Sequence, residues 1–101
     1  MLDFQQAQKV LLSRGPLEAS RMAELLRRAA DLQNPLAEYD LGYCYEHGLG
    51  VPLDRQQSYS WYRRAGAHTS DTSLRNIAVA AARNLEGQFS QAQLRVLQLP
   101  P

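Results

Sequence analysis

The fold is decided by residues 37–66, which read AEYDLGYCYEHGLGVPLDRQQSYSWYRRAG. Apolar residues recur there every four positions, at Ala37, Leu41 and Tyr45. This spacing places them on one face of a helix. Residues 48–52 end that helix, because glycine adopts the left-handed conformation that follows a helix and proline cannot continue one. Asp54 is a good N-cap for a second helix. The stretch therefore predicts two helices joined by a short turn.

Weaker copies of this pattern occur on both sides of it. LLRRAA at residues 25–30 recurs as WYRRAG at residues 61–66, at an offset of 36. At the same offset, Leu41 corresponds to Ile77. Self-similarity at such a period is typical of helical repeat proteins. We predict a single domain over residues 1–101, with repeat 1 at about 2–33, repeat 2 at about 34–69, and a half repeat plus a capping helix at about 70–98.

Composition indicates helices throughout the chain. Leu, Ala, Gln and Arg fill about half of the 101 positions, whereas Val and Ile together supply five. The four common residues favour helices, and the β-branched ones favour strands. Helix pairs of this kind cannot bury their apolar faces alone, but stacking side by side gives them a shared core. We therefore expect an all-α protein, a short α/α superhelix (an α-solenoid) of about two and a half repeats with a C-terminal capping helix.

Small residues stand where the predicted helices must approach one another. They are Gly42 and Ala78 on the first helix of a pair, and Ala29 and Ala65 on the second. A bulky side chain at such a position would push the helices apart, and overpacking of this kind costs roughly 1–3 kcal/mol. We expect these four residues to lie at helix–helix contacts.

Residues 37–66 resemble a Sel-one-like repeat, which is related to the tetratricopeptide repeats. The family pattern of Ala, Leu-Gly, Tyr, Gly-x-Gly-Val, Asp, Ala and Trp-Tyr-x-x-Ala-Ala is met at nearly every position, with Ser58 and Gly66 standing where the family has alanine. The resemblance implies a right-handed superhelix that acts as a scaffold for protein–protein contacts, with no common catalytic site. Family members are adaptors, mostly bacterial, and some small ones resemble immunity or accessory proteins encoded beside secreted effectors.

The resemblance also implies that the first helix of each pair lines a concave binding surface. Tyr43 is the expected apolar anchor, because tyrosine is frequent at binding hot spots. Asp40, His47 and Arg83 are the expected polar selectors. On the first helix of repeat 2, Asp40, Tyr43 and His47 lie three or four positions apart and so form one stripe. The full set of candidate partner-binding residues is Leu36, Asp40, Tyr43, His47, Lys9, Asn76 and Arg83.

Charge and leader signals exclude several other classes of protein. The net charge of +1 gives no general support for binding nucleic acid or an anionic membrane. Cys44 is the only cysteine, so no disulfide can form within the chain. The first residues lack the pattern of a signal peptide, and the longest apolar run, residues 77–82, is too short to span a bilayer. We expect a cytoplasmic protein.

Chemistry-bearing residues are too sparse for a catalytic or metal site. Cys44 and His47 are three apart on one helix, but a metal site needs three or four ligands. A Cys–His nucleophile pair would also need an orienting group and an oxyanion hole. We therefore expect no enzyme, metal or cofactor. Tyr45 and Trp61 are expected in the core, and the arginines at 27–28 and 63–64 are expected to be solvated rather than to grip phosphates.

Self-assembly is the alternative hypothesis. A short array buries little surface, and its exposed repeat ends can stack on one another. The first half of the chain is acidic and the second half is basic, which favours head-to-tail contacts between copies. The protein would then be a structural scaffold in the form of a homo-oligomer.

Overall fold

The structure is a computed structural model that describes residues 16–97, and all regular structure in them is helical. The helices are α1 (Pro16–Asp31), α2 (Pro35–His47), α3 (Arg55–His68), α4 (Thr72–Glu86) and α5 (Gln91–Val96). The prediction of an all-α protein is confirmed. The first part of the predicted repeat 1, which carries Lys9, lies outside the described residues.

Side-chain caps begin α2 to α5. Asn34, Asp54 and Asp71 each accept a hydrogen bond from the backbone N–H three residues later, at 2.9–3.1 Å. Ser90 and Gln93 form a reciprocal capping box at the start of α5. Each cap satisfies a helix N–H that has no partner within its own helix. The helix start predicted at Asp54 is therefore confirmed.

The helices stack in chain order, with α2 packed against α1 and α3, and α4 packed against α3. One core cluster joins α1, α2 and α3 through Ala30, Ala37, Leu41, Tyr45 and Trp61. A second joins α3 and α4 through Tyr59, Tyr62, Ala82 and Leu85. This is the stacking expected of an α-solenoid, and the assignment of Tyr45 and Trp61 to the core is confirmed.

The turn between α2 and α3 folds back onto α1. Gly48 and Gly50 both have positive φ angles, 66° and 73°, which glycine adopts without steric cost. Gly50 also lies so close to the Ala19 carbonyl that a Cβ at this position would be 2.2 Å from the carbonyl oxygen. Glycine is therefore required at residue 50 by conformation and by contact with the preceding helix.

Gly42 sets the approach of α2 to α3. A Cβ at this position would lie 2.8 Å from Cδ1 of Tyr62 and 3.2 Å from the Ser58 carbonyl oxygen. The Ser58 hydroxyl, which is buried, donates a 2.6 Å hydrogen bond to the Gly42 carbonyl. Ser58, which stands where the family has alanine, therefore adds a hydrogen bond between α2 and α3 at this close contact.

Two pairs of residues that occupy corresponding positions in the repeats differ in how deeply they are buried. Leu25 aligns with Trp61, but its side chain is 58% exposed whereas Trp61 is 4% exposed. Trp61 packs with Ala30 of α1, and no described helix covers Leu25 in the same way. Ile77 aligns with the buried Leu41, but Ile77 is 51% exposed. Leu41 is enclosed between α1 and α3, whereas α4 buries only the side that faces α3.

A matched pair of glycine substitutions tests the helix contact. Gly42→Ala is expected to destabilise the protein by about 1–3 kcal/mol, because the added methyl group overpacks against the Tyr62 ring. Gly66→Ala is expected to stabilise it by about 0.5–1 kcal/mol. At residue 66 a Cβ would meet its nearest neighbour, Val79, at 3.4 Å, which is an ordinary contact. Urea unfolding followed by circular dichroism measures both changes. Equal effects of the two substitutions would contradict the assigned contact.

Candidate protein-binding surface

Three of the predicted binding residues, Leu36, Tyr43 and His47, lie on α2 with part or all of their side chains exposed. The rings of Tyr43 and His47 are 4.1 Å apart between centroids, and His47 is exposed. Nε2 of His47 lies 3.9 Å from Oε1 of Glu46. Tyr43 and Leu36 are partly buried, so each presents part of its side chain to solvent. This surface combines an aromatic pair with an acidic and a basic group.

Asp40, which was predicted to be a polar selector on this surface, is buried. Its side chain is 8% exposed, and Oδ1 has no hydrogen-bond partner among the described residues. Burial raises the pKa of this carboxyl to about 6. Asp40 is one helical turn before Cys44, which packs against Ala19 of α1. On the helix, Asp40 is therefore a neighbour of Tyr43 and also of Cys44, which lies on the side of α2 that is buried against α1.

The remaining predicted site residues are on another helix or outside the described part. Asn76 and Arg83 are exposed on α4, which packs against α3 through Ala78, Ala82 and Leu85. The apolar link between α2 and α4 is Tyr39, which packs against the cluster that contains Ala82 and Leu85. Lys9 lies outside residues 16–97. The structure therefore brings together Tyr43 and His47, and it places Asn76 and Arg83 on a different helix.

A hydrogen bond that was not predicted, between the buried Glu38 and the more exposed His68, ties α2 to the end of α3. Glu38 is 1% exposed, and its two carboxylate oxygens lie 2.8 and 3.0 Å from Nδ1 of His68. A carboxylate only accepts hydrogen bonds, so His68 donates from Nδ1. The two residues are 30 positions apart, and their spacing carries no sequence signal that would pair them.

Two buried tyrosines donate to carboxylates across helix contacts. The Tyr62 hydroxyl lies 2.7 Å from Glu46 on α2, and the Tyr59 hydroxyl lies 2.6 Å from Glu86 on α4. Burial, together with the hydrogen bond to the carboxylate, raises the pKa of both tyrosines. Both therefore remain protonated donors, and each fixes the register between two neighbouring helices.

Cys44 is a packing residue in this structure. It is buried beside Ala19, and burial raises the pKa of its thiol to about 12. The thiolate is the reactive form of cysteine, so this environment suppresses its reactivity. Within residues 16–97, no three His, Cys, Asp or Glu side chains are grouped to hold a metal ion. No described helix has both the length and the hydrophobicity needed to cross a bilayer.

The stacked helix pairs define a helical repeat protein. Residues 35–70, which include α2 and α3, match the Sel1 repeat family. Sel1 repeats generally mediate protein–protein interaction. The resemblance seen in the sequence is therefore confirmed.

Two curated proteins are similar to part of the chain. The chitin synthase regulator SKT5 of Saccharomyces cerevisiae is 32% identical over 50 residues, which are 50% of this chain and 7% of that protein. The chitin synthase regulator SKT5 of Malassezia restricta is 43% identical over 42 residues, which are 42% of this chain and 3% of that protein. The chain thus spans a small part of these relatives, and both are fungal. No solved structure matches the chain.

The buried Asp40 carboxyl predicts a stability that falls as pH rises. Its pKa in the folded state, about 6, lies above the ordinary value of 3.8, so ionisation is harder in the folded protein than in the unfolded one. The cost is absent well below pH 3.8, small near pH 4 and complete above the folded pKa, where it reaches roughly 2–3 kcal/mol. Asp40→Asn removes the charge at nearly constant size. We expect the variant to be more stable than the native protein at neutral pH, and the difference to shrink as pH falls toward 4.

Urea unfolding across this pH range measures the difference between the two proteins. Glu24→Gln, at an exposed carboxylate on α1, is the control and is expected to change stability by less than about 0.5 kcal/mol throughout. A difference between Asp40→Asn and the native protein that stays constant with pH would contradict the buried, unpartnered carboxyl.

Proposed function

We propose that this protein binds another protein through the surface of α2, with Tyr43 as the apolar anchor and His47 as its polar neighbour. The observation that carries the proposal is the Tyr43–His47 ring pair, which lies partly exposed within the Sel1 repeat. A ring pair held at this distance is already ordered before binding, which reduces the entropy lost on association.

Other predicted residues extend this surface in the proposal. Leu36, one stripe with Tyr43 on α2, adds apolar area. Arg83 and Asn76 are exposed on α4 and select for polar or acidic groups of the partner. Lys9 contributes a further positive charge from the predicted first helix. Asp40 acts indirectly, from beneath the surface, because it is buried.

The biological role we propose is that of an accessory protein that acts by binding its partner. Both curated relatives are named as regulators of chitin synthase, a name that describes action on another protein. Their fungal origin gives no support to a bacterial immunity role over a general adaptor role. We place the protein in a reducing, cytoplasmic compartment, since Cys44 is its only cysteine and no disulfide can form within the chain. In this role the protein is not an enzyme.

Loss of the ring pair is expected to weaken partner binding. Tyr43→Ala should raise the Kd for a purified partner at least about tenfold, which corresponds to about 1.4 kcal/mol. The partner is first captured from native cells, and the affinities are then measured by isothermal titration calorimetry. Val96→Ala, an apolar truncation at an exposed site on α5, is the control and should leave the Kd unchanged. Unchanged affinity of a correctly folded Tyr43→Ala variant would remove α2 from the interface.

Self-assembly is a second candidate function, favoured by exposed apolar side chains on α1 and α4. Leu32 of α1 is 84% exposed, and Leu25 of α1 and Ile77 of α4 are more than half exposed. A second copy stacked on either end would bury them, as neighbouring repeats do within an array.

Light scattering coupled to size exclusion distinguishes this second candidate. If copies stack through their ends, the native protein is expected to form oligomers at high concentration, and Leu25→Ser together with Leu32→Ser should return it to a monomer. Ser replacement at Val96 is the control and should leave the oligomer intact. A native protein that stays monomeric at high concentration refutes self-assembly.

A further inference from the structure

Trp61 lies beneath two guanidinium groups, one from its own helix α3 and one from α1. Cζ of Arg64, on the same helix, is 4.7 Å from the centre of the indole, and Cζ of Arg27, on α1, is 5.4 Å from it. Attraction between a cation and an aromatic face stabilises such contacts. Both arginines are exposed to solvent, as predicted, and both also lie over the buried Trp61 ring.

Contact with the indole leaves the hydrogen-bonding edges of these guanidinium groups available. A guanidinium has five N–H donors in its plane. Arg27 uses Nε on Asp31 at 3.3 Å, which leaves its terminal nitrogens. Within residues 16–97, Arg64 makes no ion pair. Two positively charged forks, preordered by the same ring, therefore have unused donors.

These donors border a cavity of about 380 Å³ between α1, α3 and the residue that ends α5. Gln56, Gln57 and Ser60 add polar atoms to its wall, and Leu97 adds an apolar side. Asp54 also lines it, but that carboxylate accepts the Gln57 N–H as the cap of α3. One side of the cavity is cationic and another side is apolar. This combination fits a side chain that has a short aliphatic part and a negatively charged end.

We propose that this cavity, which we call the Arg27–Arg64 groove, binds a glutamate or aspartate side chain of an acidic segment in a partner protein. A planar carboxylate can accept two parallel hydrogen bonds from one guanidinium, and such bonds are among the strongest in proteins. That the ligand belongs to a protein rests on the proposed function. The groove itself is lined by α1 and α3 rather than by α2, so it is a separate surface from Tyr43.

A nucleic acid fits the groove less well, because the other two arginines do not extend it. Arg63 faces a different side of α3, where Nη1 lies 3.4 Å from the Tyr59 hydroxyl. Arg28 pairs with Glu24 at 3.0 Å. A phosphate backbone needs a continuous row of positive charges to bind well. Here the unengaged charge is confined to one point, which suits a single acidic side chain and its neighbours.

Titration with a hexaglutamate peptide tests the proposal on the whole chain. Trp61 is the only tryptophan, so its fluorescence reports directly on the groove. We expect a saturable change in emission at low ionic strength, with calorimetry giving the affinity of each variant. Arg64→Gln should weaken binding by about tenfold or more. Arg63→Gln removes the same charge from the adjacent residue and should change the affinity less than about twofold.

Three results would overturn the proposal. They are no saturable binding up to millimolar peptide, an equal loss in Arg63→Gln and Arg64→Gln, and tighter binding of an oligouridine than of hexaglutamate. Unchanged circular dichroism and an unchanged urea midpoint show that each variant is folded. Tyr43→Ala should bind hexaglutamate as the native protein does, so failure of the groove and failure of the α2 surface are separate results.

Discussion

The contact between Gly42 and the Tyr62 ring is the constraint on which the rest of the structure depends. Without a side chain at residue 42, α2 and α3 approach closely enough for the Ser58 hydroxyl to reach the Gly42 carbonyl. The same close approach lets His68 reach the buried Glu38. Both outer helices pack against this pair, α1 against α2 and α4 against α3, so the separation of the central pair fixes the positions of their neighbours.

Polar groups inside the stack fix its register. Glu38, Glu46 and Glu86 each accept a hydrogen bond from a side chain on another helix, and a shift of one helix along its neighbour would break that bond. Buried carboxylates without partners are costly, so such a shift is strongly disfavoured. Asp40 is the exception among the buried carboxyls described, because its Oδ1 has no partner. We therefore expect its ionisation to lower stability at neutral pH, at the edge of the proposed binding surface.

The spacing of residues was sufficient to predict the helices, their caps and most of the core. The spacing was insufficient to predict how exposed each side chain is. It shows which residues share one stripe of a helix, but it does not show which neighbouring helix covers that stripe. The burial of Asp40 could not be predicted for this reason, since Asp40 belongs to the stripe of Tyr43 and also lies one turn before Cys44. The exposure of Leu25 and Ile77 could not be predicted for a related reason. Residues that correspond between repeats have equal burial only where the same helices flank them.

The paired arginines show how a repeat can produce different surfaces from similar residues. Successive residues on a helix are about 100° apart, so Arg63 and Arg64 cannot face the same neighbour. Arg63 is directed to Tyr59 and Arg64 to Trp61. Only the second meets an arginine from α1, because α1 packs on the side of the stack where Trp61 is buried. The groove therefore arises between two consecutive helix pairs, and neither pair alone would form it.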